Sequence, residues 1–263
     1  MEVKEYVVPK SVEKTYELLK ENKANKLIAG GAWIKLSVKS VDKLVSLDNL
    51  ELDYIKEGNS YIEIGAMTCL RKIEINKAIQ SLGSGILSQS ISHIMGINIR
   101  NIATIGGSIM GKYAFSDILV VLLVLDAKIS FYKLGEISIY DFMEMKRIPE
   151  DILLNIRIDK QQKVGYFKKV CKTHLDFAMI NIAITKNSVY KIAVGSRPSG
   201  SVLAINTANY LNSKETINEE VLNEAVTIAL EEITVGSNFR ASKDYREVLL
   251  GTYLKRGIRE VSK

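Results

Sequence analysis

Cysteine, histidine, proline and tryptophan are all scarce in this chain. Its 263 residues hold 2 Cys, 2 His, 3 Pro and 1 Trp. A tetrahedral zinc site or a 2Fe–2S cluster takes four ligands, mostly cysteine. Cys69 and Cys171 cannot supply them, and His93 and His174 do not make a histidine-rich site. No metal site is expected, and the two thiols read as a buried pair in a cytosolic protein. His93, inside SQSISHIMG, reads as structural. Long apolar runs are also missing. The longest, Ile118–Leu125, is far too short to cross a bilayer. No charged-then-apolar signal pattern opens the sequence, and Glu2 and Glu5 speak against a transit peptide. The expected location is therefore the cytoplasm. The net charge is +6 and the pI about 9.1. Nucleic-acid binding needs cations gathered on one face. Here Lys and Arg are scattered, usually beside Glu or Asp, which describes a solvated surface. Neither a nucleic acid nor a membrane is expected as a partner.

What the chain does have is a globular composition, 47% hydrophobic and 25% charged, with length for one large domain or several small ones. Residues 11–22 read as a helix capped by Ser11, with Val12, Tyr16 and Leu19 on one face. Residues 26–31, 43–47 and 61–66 read as strands. Thr68 is placed to cap a short helix containing Leu70 and Ile73. Residues 84–96 read as a helix with Leu87, Ile91 and Ile94 on one face, ended by Gly96. SDILVVLLVL (116–125) reads as a capped, buried helix. Residues 127–134 and 152–158 return to strand, and 165–170, 178–185 and 188–195 form an antiparallel meander. Two helices close the chain. One carries Val221, Leu222, Ala225, Ile228 and Ala229 on its apolar face; the other is capped by Ser242 and carries Tyr245, Leu249 and Tyr253. Strands and helices are partly segregated, which gives an α+β class and not a regular βαβ array.

Two glycine pairs follow short apolar stretches, in LIAGGAWI (27–34) and TIGGS (104–108). Glycine admits positive φ and lets a ligand approach the backbone. Successive N–H groups in such turns form an anion-binding concavity, so two of them suit a pyrophosphate. Taken alone, each pair reads first as an ordinary tight turn, since a single Gly-Gly is common in loops. Neither is a Rossmann GxGxxG or a P-loop GxxxxGK[ST]. Asp117, after Ser116 at a helix start, serves either the helix N-terminus or a ribose hydroxyl. Trp33 reads either as a ring that stacks on a cofactor or as a packing residue.

Taken in order, six segments carry a resemblance: LIAGGAWI (27–34), IGAMTCL (64–70), IRNIATIGGS (99–108), SD (116–117), KVCKTHLDFA (169–178) and RASKDYREVLLGTYLKR (240–256). The chain resembles the FAD-binding medium subunit of molybdenum hydroxylases, the group of xanthine dehydrogenase and aerobic carbon monoxide dehydrogenase. The corresponding patterns there are LxAGGTDL, IGAxTTL, IRNxATIGGN with SD following, KxxxRxxDxA and RASxxYRxxLxxxLxxR. The match covers essentially the whole chain. It departs at Ala32-Trp33 for Thr-Asp, at Ser108 for Asn, at Lys112-Tyr113-Ala114-Phe115 for Ala-x-Pro, and at Thr173 for Arg.

The resemblance implies an FAD-binding fold of the vanillyl-alcohol oxidase and MurB-like group over 1–160, with α/β subdomains of about 1–57 and 58–160. A C-terminal α+β domain over 161–263 follows. The implied cofactor is FAD. The implied contacts are Leu27, Ile28, Ala29, Gly30, Gly31, Ala32, Trp33 and Ile34 on one side. Thr104, Ile105, Gly106, Gly107 and Ser108 stand on the other, with Gly106 and Gly107 bringing N–H groups to the pyrophosphate. Asp117 would hold the adenosine ribose, Leu153 would reach the flavin region, and Lys169 would set a positive charge near the cofactor. The implied role is to pass electrons from 2Fe–2S clusters on one partner chain, fed by a molybdopterin subunit on another, through FAD to NAD or another acceptor. No side chain stands out as a catalytic acid or base. Two other readings stay open: an assembly subunit whose flavin site has decayed, and a stand-alone FAD oxidoreductase.

Overall fold

The structure is a computed structural model and describes residues 1–34, 40–161 and 163–263. Its strands form three sheets. The first is small and wholly parallel, ordered β1 (Glu2–Val7), β3 (Ser40–Ser46), β2 (Lys26–Ile28). Helix α1 (Val12–Glu21) links β1 to β2, and the Ser11 hydroxyl accepts from the Lys14 N–H at its start. Its buried residues are Thr15 and Leu18; Val12, Tyr16 and Leu19 flank them half-buried. The apolar pattern misplaced the stripe because a threonine sits at its centre. Thr15 is satisfied there by donating its hydroxyl proton to the Ser11 carbonyl at 2.8 Å.

The second sheet is antiparallel, ordered β4 (Ile55–Glu57), β5 (Tyr61–Gly65), β8 (Leu153–Asp159), β6 (Lys128–Phe131), β7 (Gly135–Ser138). The strands of the first sheet end at Ser46, and the β4–β5 hairpin belongs wholly to the second. Six helices lie between β5 and β6: α2 (Leu70–Glu74), α3 (Lys77–Ser81), α4 (Ile86–Ser92), α5 (Ile97–Ile102), α6 (Ile105–Met110) and α7 (Asp117–Val124). Helix α8 (Ile139–Glu144) follows β7. The single helix expected over 84–96 is shorter. Met95 adopts φ +44°, the chain turns, and Gly96 becomes the N-cap of α5. Thr68 does not cap α2 either. Cys69 takes that place, while the Thr68 hydroxyl donates to the Tyr54 carbonyl at 2.8 Å and accepts from its N–H at 3.1 Å.

The third sheet is antiparallel, ordered β12 (Val202–Leu203), β11 (Tyr190–Gly195), β10 (Ile180–Lys186), β9 (Val164–Val170). Alternation sorts its residues onto two faces. Ile182, Ile184, Ile192 and Val194 pack beneath α9 (Ile205–Asn212), α10 (Glu219–Glu232) and α11 (Lys243–Val261). Ala183 and Ala193 join the other cluster, which contains every residue of α7 from Ile118 to Val124. A helix that is apolar all round must be covered all round. The small alanines of β10 and β11 let α7 lie against this sheet, and that contact joins the N-terminal and C-terminal parts. The joint is reinforced where the Thr185 hydroxyl donates to the Val124 carbonyl at 2.9 Å, and where Lys163 and Lys191 both pair with Asp126.

The stripe of α11 is turned by one position from the expected Tyr245, Leu249, Tyr253. Leu249, Leu250, Leu254 and Ile258 are buried with Arg246, and Tyr245 is exposed. Arg246 is fully buried, and among the described residues no acidic side chain pairs with it. Its guanidinium instead donates to the carbonyls of Met179, Gly236 and Ala241 and to Asn238 Oδ1. Among the described residues no helix is long and apolar enough to cross a membrane.

Candidate cofactor-binding site

The two glycine turns face one cleft. Strand β2 delivers the first turn, and the backbone between α5 and α6 delivers the second. The second is fixed by main-chain bonds to IGAMTCL: Leu70 N–H to Ala103 O at 2.8 Å, Ile105 N–H to Thr68 O at 3.0 Å, and Gly106 N–H to Ala66 O at 2.9 Å. These bonds explain why the two motifs travel together: one is the template on which the other is laid.

Within each pair the two glycines do different work. A Cβ on Gly30 would stand 1.4 Å from the Ile102 carbonyl oxygen, and one on Gly106 would stand 2.7 Å from that of Ala66. Both are glycine because another piece of backbone passes against them. Gly31 adopts φ +69°, which disfavours any side chain. Among the described residues, a Cβ on Gly107 would find only the Thr104 hydroxyl, at 3.1 Å, and otherwise open cleft. Gly31 is thus set by its backbone conformation, and Gly107 is the glycine that keeps the cleft wall bare.

The expected supply of N–H groups from the second turn is absent. Ile105 and Gly106 donate as above, Gly107 donates to Thr104 Oγ1 at 3.2 Å, and Ser108 donates to Thr104 O at 3.0 Å. The α6 N-terminus is closed by its own cap and by the 66–68 segment. What it offers the cleft is the bare Cα of Gly107 with Thr104 and Ser108.

The cleft is about 380 Å³ and takes in Leu27, Ile28, Ala29, Gly30, Gly31, Ala32, Trp33, Ile34, Thr104, Gly107, Ser108, Asp117 and Lys169. Three expected contacts lie outside its wall. Ile105 and Leu153 are buried in the main core, where α6 and β8 turn their apolar sides inward, and Gly106 is pressed against Ala66. The sequence reading also passed over lining residues. Ile94, Met95 and Ile99 come from the α4–α5 break, and Leu175, Asp176 and Phe177 from the loop after β9. Tyr113 and Phe115 sit in the stretch that departs from the family pattern and also line the cleft; that departure was the available signal.

Asp117 and Lys169 form a buried ion pair at 3.1 Å, bringing α7 and β9 together. The Asn181 amide donates to the other carboxylate oxygen at 2.7 Å, and Lys169 Nζ also donates to the His93 carbonyl at 2.8 Å. Burial pushes the Asp117 carboxyl up from its ordinary value, against the pull of Lys169 and Asn181. Lys169 therefore does not stand as a free positive charge; Asp117 neutralises it.

The His93 ring lies beside Phe167 and, at 5.6 Å between centroids, beside His174. Burial lowers its pKa below 6.5, and the charges of Lys169, His174, Lys168 and Arg100 lower it further. Between the folded value and 6.5 the unfolded chain binds more protons, so this contribution to stability is complete above pH 6.5 and is lost as pH falls. We predict that Tm falls more steeply between pH 7.5 and 5.5 in the wild type than in His93→Gln. Parallel curves from calorimetry would refute this.

Comparison with known proteins places this geometry. Residues 1–160 match the family described as FAD binding domain in molybdopterin dehydrogenase, and residues 165–261 match the CO dehydrogenase flavoprotein C-terminal domain. The chain is 26% identical over 255 residues to the uncharacterized protein YgfM of Escherichia coli K12, covering 95% of this chain and 93% of that one. It is 24% identical over 278 residues to the glyceraldehyde dehydrogenase medium chain of Sulfolobus acidocaldarius, covering 98% of each. Its fold superposes on CO dehydrogenase from Oligotropha carboxidovorans with a TM-score of 0.88 at 20% identity, covering 98% and 96%. The chain belongs to the FAD-binding domain family of molybdopterin dehydrogenases, and its α+β architecture is that of their FAD-carrying medium subunits.

The residues present fit that cofactor. The cleft volume falls in the range of about 300–1,000 Å³ typical of ligand sites. Gly107 leaves part of its wall open, and a buried carboxylate and four aromatic rings line it.

Proposed function

We propose that this chain is the FAD subunit of a multi-subunit molybdenum hydroxylase, accepting electrons from 2Fe–2S clusters on one partner and delivering them to NAD or another acceptor. Substrate oxidation then belongs to a molybdopterin subunit on a separate chain, and the protein works in the cytoplasm. We place the division between the FAD-binding and C-terminal domains near residue 160. The observation that carries the reading is the cleft itself: both glycine turns, Asp117 and Lys169 converge on one cavity in a chain that matches the family from end to end. The cysteine count supports the partnership, since Cys69 and Cys171 cannot ligate even one four-cysteine cluster.

When bound, FAD supplies two-electron chemistry that can also proceed in single-electron steps. The chain's own contribution is binding and orientation. Gly107 admits the dinucleotide. Asp117, held in place by Asn181 and Lys169, presents a fixed acceptor to hydroxyl groups. The apolar lining excludes water.

Co-expression with cluster-bearing and molybdopterin subunits tests the partnership. The chain should co-purify with both, and substrate should bleach the flavin only in the complex. Substrate turnover by the lone chain, or failure to associate with any cluster-bearing chain, would contradict the proposal. One observation favours a second reading, an assembly subunit without flavin: the N–H groups of residues 105–108 are all internally bonded. That reading requires the purified complex to be colourless in the flavin bands from this subunit.

A further inference from the structure

Four aromatic side chains from three segments meet in the cleft: Trp33 after the first glycine pair, Tyr113 and Phe115 before α7, and Phe177 after β9. Tyr113 and Phe115 lie nearly parallel, 5.2 Å apart at 7°, and Phe115 continues to Phe177 at 4.1 Å. Trp33 stands across them, 5.6 Å from Tyr113 at 64° and 6.1 Å from Phe177 at 80°. The rings make a corner of two π walls. None is buried; all four remain half-open to the cavity. Phe177 is braced from behind, with the Arg240 guanidinium 5.1 Å from its ring centre and 3.5 Å from Asp176. The rings replace smaller or polar residues of the family pattern at Ala32-Trp33 and Lys112–Phe115.

Aromatic surface left open in a concave site is unfavourable in water and is relieved when a flat ring covers it. We propose that Trp33, Tyr113, Phe115 and Phe177 form a stacking site for one planar ring system of the dinucleotide, replacing in this chain the anchoring that the N–H groups of the second glycine turn do not offer. The inference rests on the flavin reading above. Its ligand chemistry is a planar heteroaromatic ring, and FAD carries two, adenine and isoalloxazine. Stacking is indifferent to hydrogen-bond pattern, so the wall sets affinity for whichever ring it meets, while Asp117 in the same cavity supplies the polar contact.

The test is the affinity of apoprotein for FAD, followed by flavin fluorescence, in the wild type, Trp33→Phe, Trp33→Leu and Phe177→Leu. Loss of a stacking ring weakens binding by roughly 5- to 100-fold, from typical stacking energies. Both leucine variants should show this loss, and Trp33→Phe, which keeps a ring, should stay within about threefold of wild type, below that range. Repeating the titrations with ADP and with FMN assigns the ring, because only the half that touches the wall loses affinity in the leucine variants. Leucine variants that bind FAD as tightly as wild type would overturn the stacking site while leaving the flavin reading intact. Absence of FAD binding in the wild type would overturn both. Should a leucine variant fail to fold, the emission of Trp33, the only tryptophan, decides. Near-complete quenching by saturating ADP, whose adenine cannot accept tryptophan emission by energy transfer, supports ring contact, and unchanged emission with both ADP and FMN refutes it.

Discussion

Alanine at Gly30 or Gly106 is expected to cost the apoprotein about 3 kcal/mol or more, the upper end of overpacking penalties. Valine at Gly107 is expected to change apo stability by only about 1 kcal/mol, the size of a helix-propensity effect. The contrast follows from what a Cβ would meet. At Gly30 and Gly106 it meets main-chain carbonyls of Ile102 and Ala66, which cannot move without breaking the α5–α6 connection or its pairing to residues 66–70. At Gly107 it meets one hydroxyl and then the open cleft. FAD affinity should show the opposite order among folded proteins. Gly107→Val loses at least about tenfold, the equivalent of 1.4 kcal/mol. Thermal unfolding of apoprotein, paired with FAD titration, checks both. Equal loss of stability at all three positions would mean that the second turn is merely a turn.

The second large effect lies at Lys169. Replacing it by Met removes the cation 3.1 Å from Asp117 and strands a carboxylate whose side chain is 5% exposed. Breaking a buried pair from one side typically costs about 3–5 kcal/mol, because the remaining charge has lost its compensation. The Asn181 amide remains but is neutral. The double variant Lys169→Met with Asp117→Asn should recover most of that stability. The single variant should also suffer less at low pH. Its Asp117 carboxyl, already raised by burial in the wild type, loses the lysine that opposed the rise and protonates more readily. Chemical denaturation at pH 7 and pH 5 reads both effects. An additive double-mutant cycle would show that the pair carries no coupling.

How much of this was legible beforehand varied with the kind of signal. The meander β9–β10–β11 and the all-apolar helix α7 were readable because periodicity and burial agree there. The stripes of α1 and α11 came out rotated, because Thr15 and Arg246 occupy buried positions that an apolar pattern assigns to solvent. Both are tolerated since main-chain carbonyls satisfy them. Gly96 marked the α4–α5 break, but not where α4 stops: the turn uses Met95 at positive φ, a residue that does not advertise it.

In the cleft, motif resemblance located both glycine turns, Asp117 and Lys169. It could not separate a glycine needed for packing from one needed for turn conformation or for access, because Gly30 and Gly31, or Gly106 and Gly107, look alike in sequence. It could not see that the N–H groups of 105–108 are consumed by Thr104 and the 66–68 segment, which is a matter of tertiary contact. Three rings of the aromatic wall, at 33, 113 and 115, were written in the sequence only as departures, and Phe177 falls at a position the pattern leaves open. The rings at 33, 113, 115 and 177 gain meaning when the fold brings three distant segments together.

The central claim is that the cleft between the two glycine turns holds one FAD. The most direct measurement is titration of the purified apoprotein with FAD and, separately, with FMN, followed by gel filtration and quantification of bound flavin. The account predicts one FAD per chain, much weaker retention of FMN, and loss of FAD retention in Gly107→Val without loss of fold. No bound flavin under excess FAD, or FAD retained equally by wild type and Gly107→Val, would contradict it.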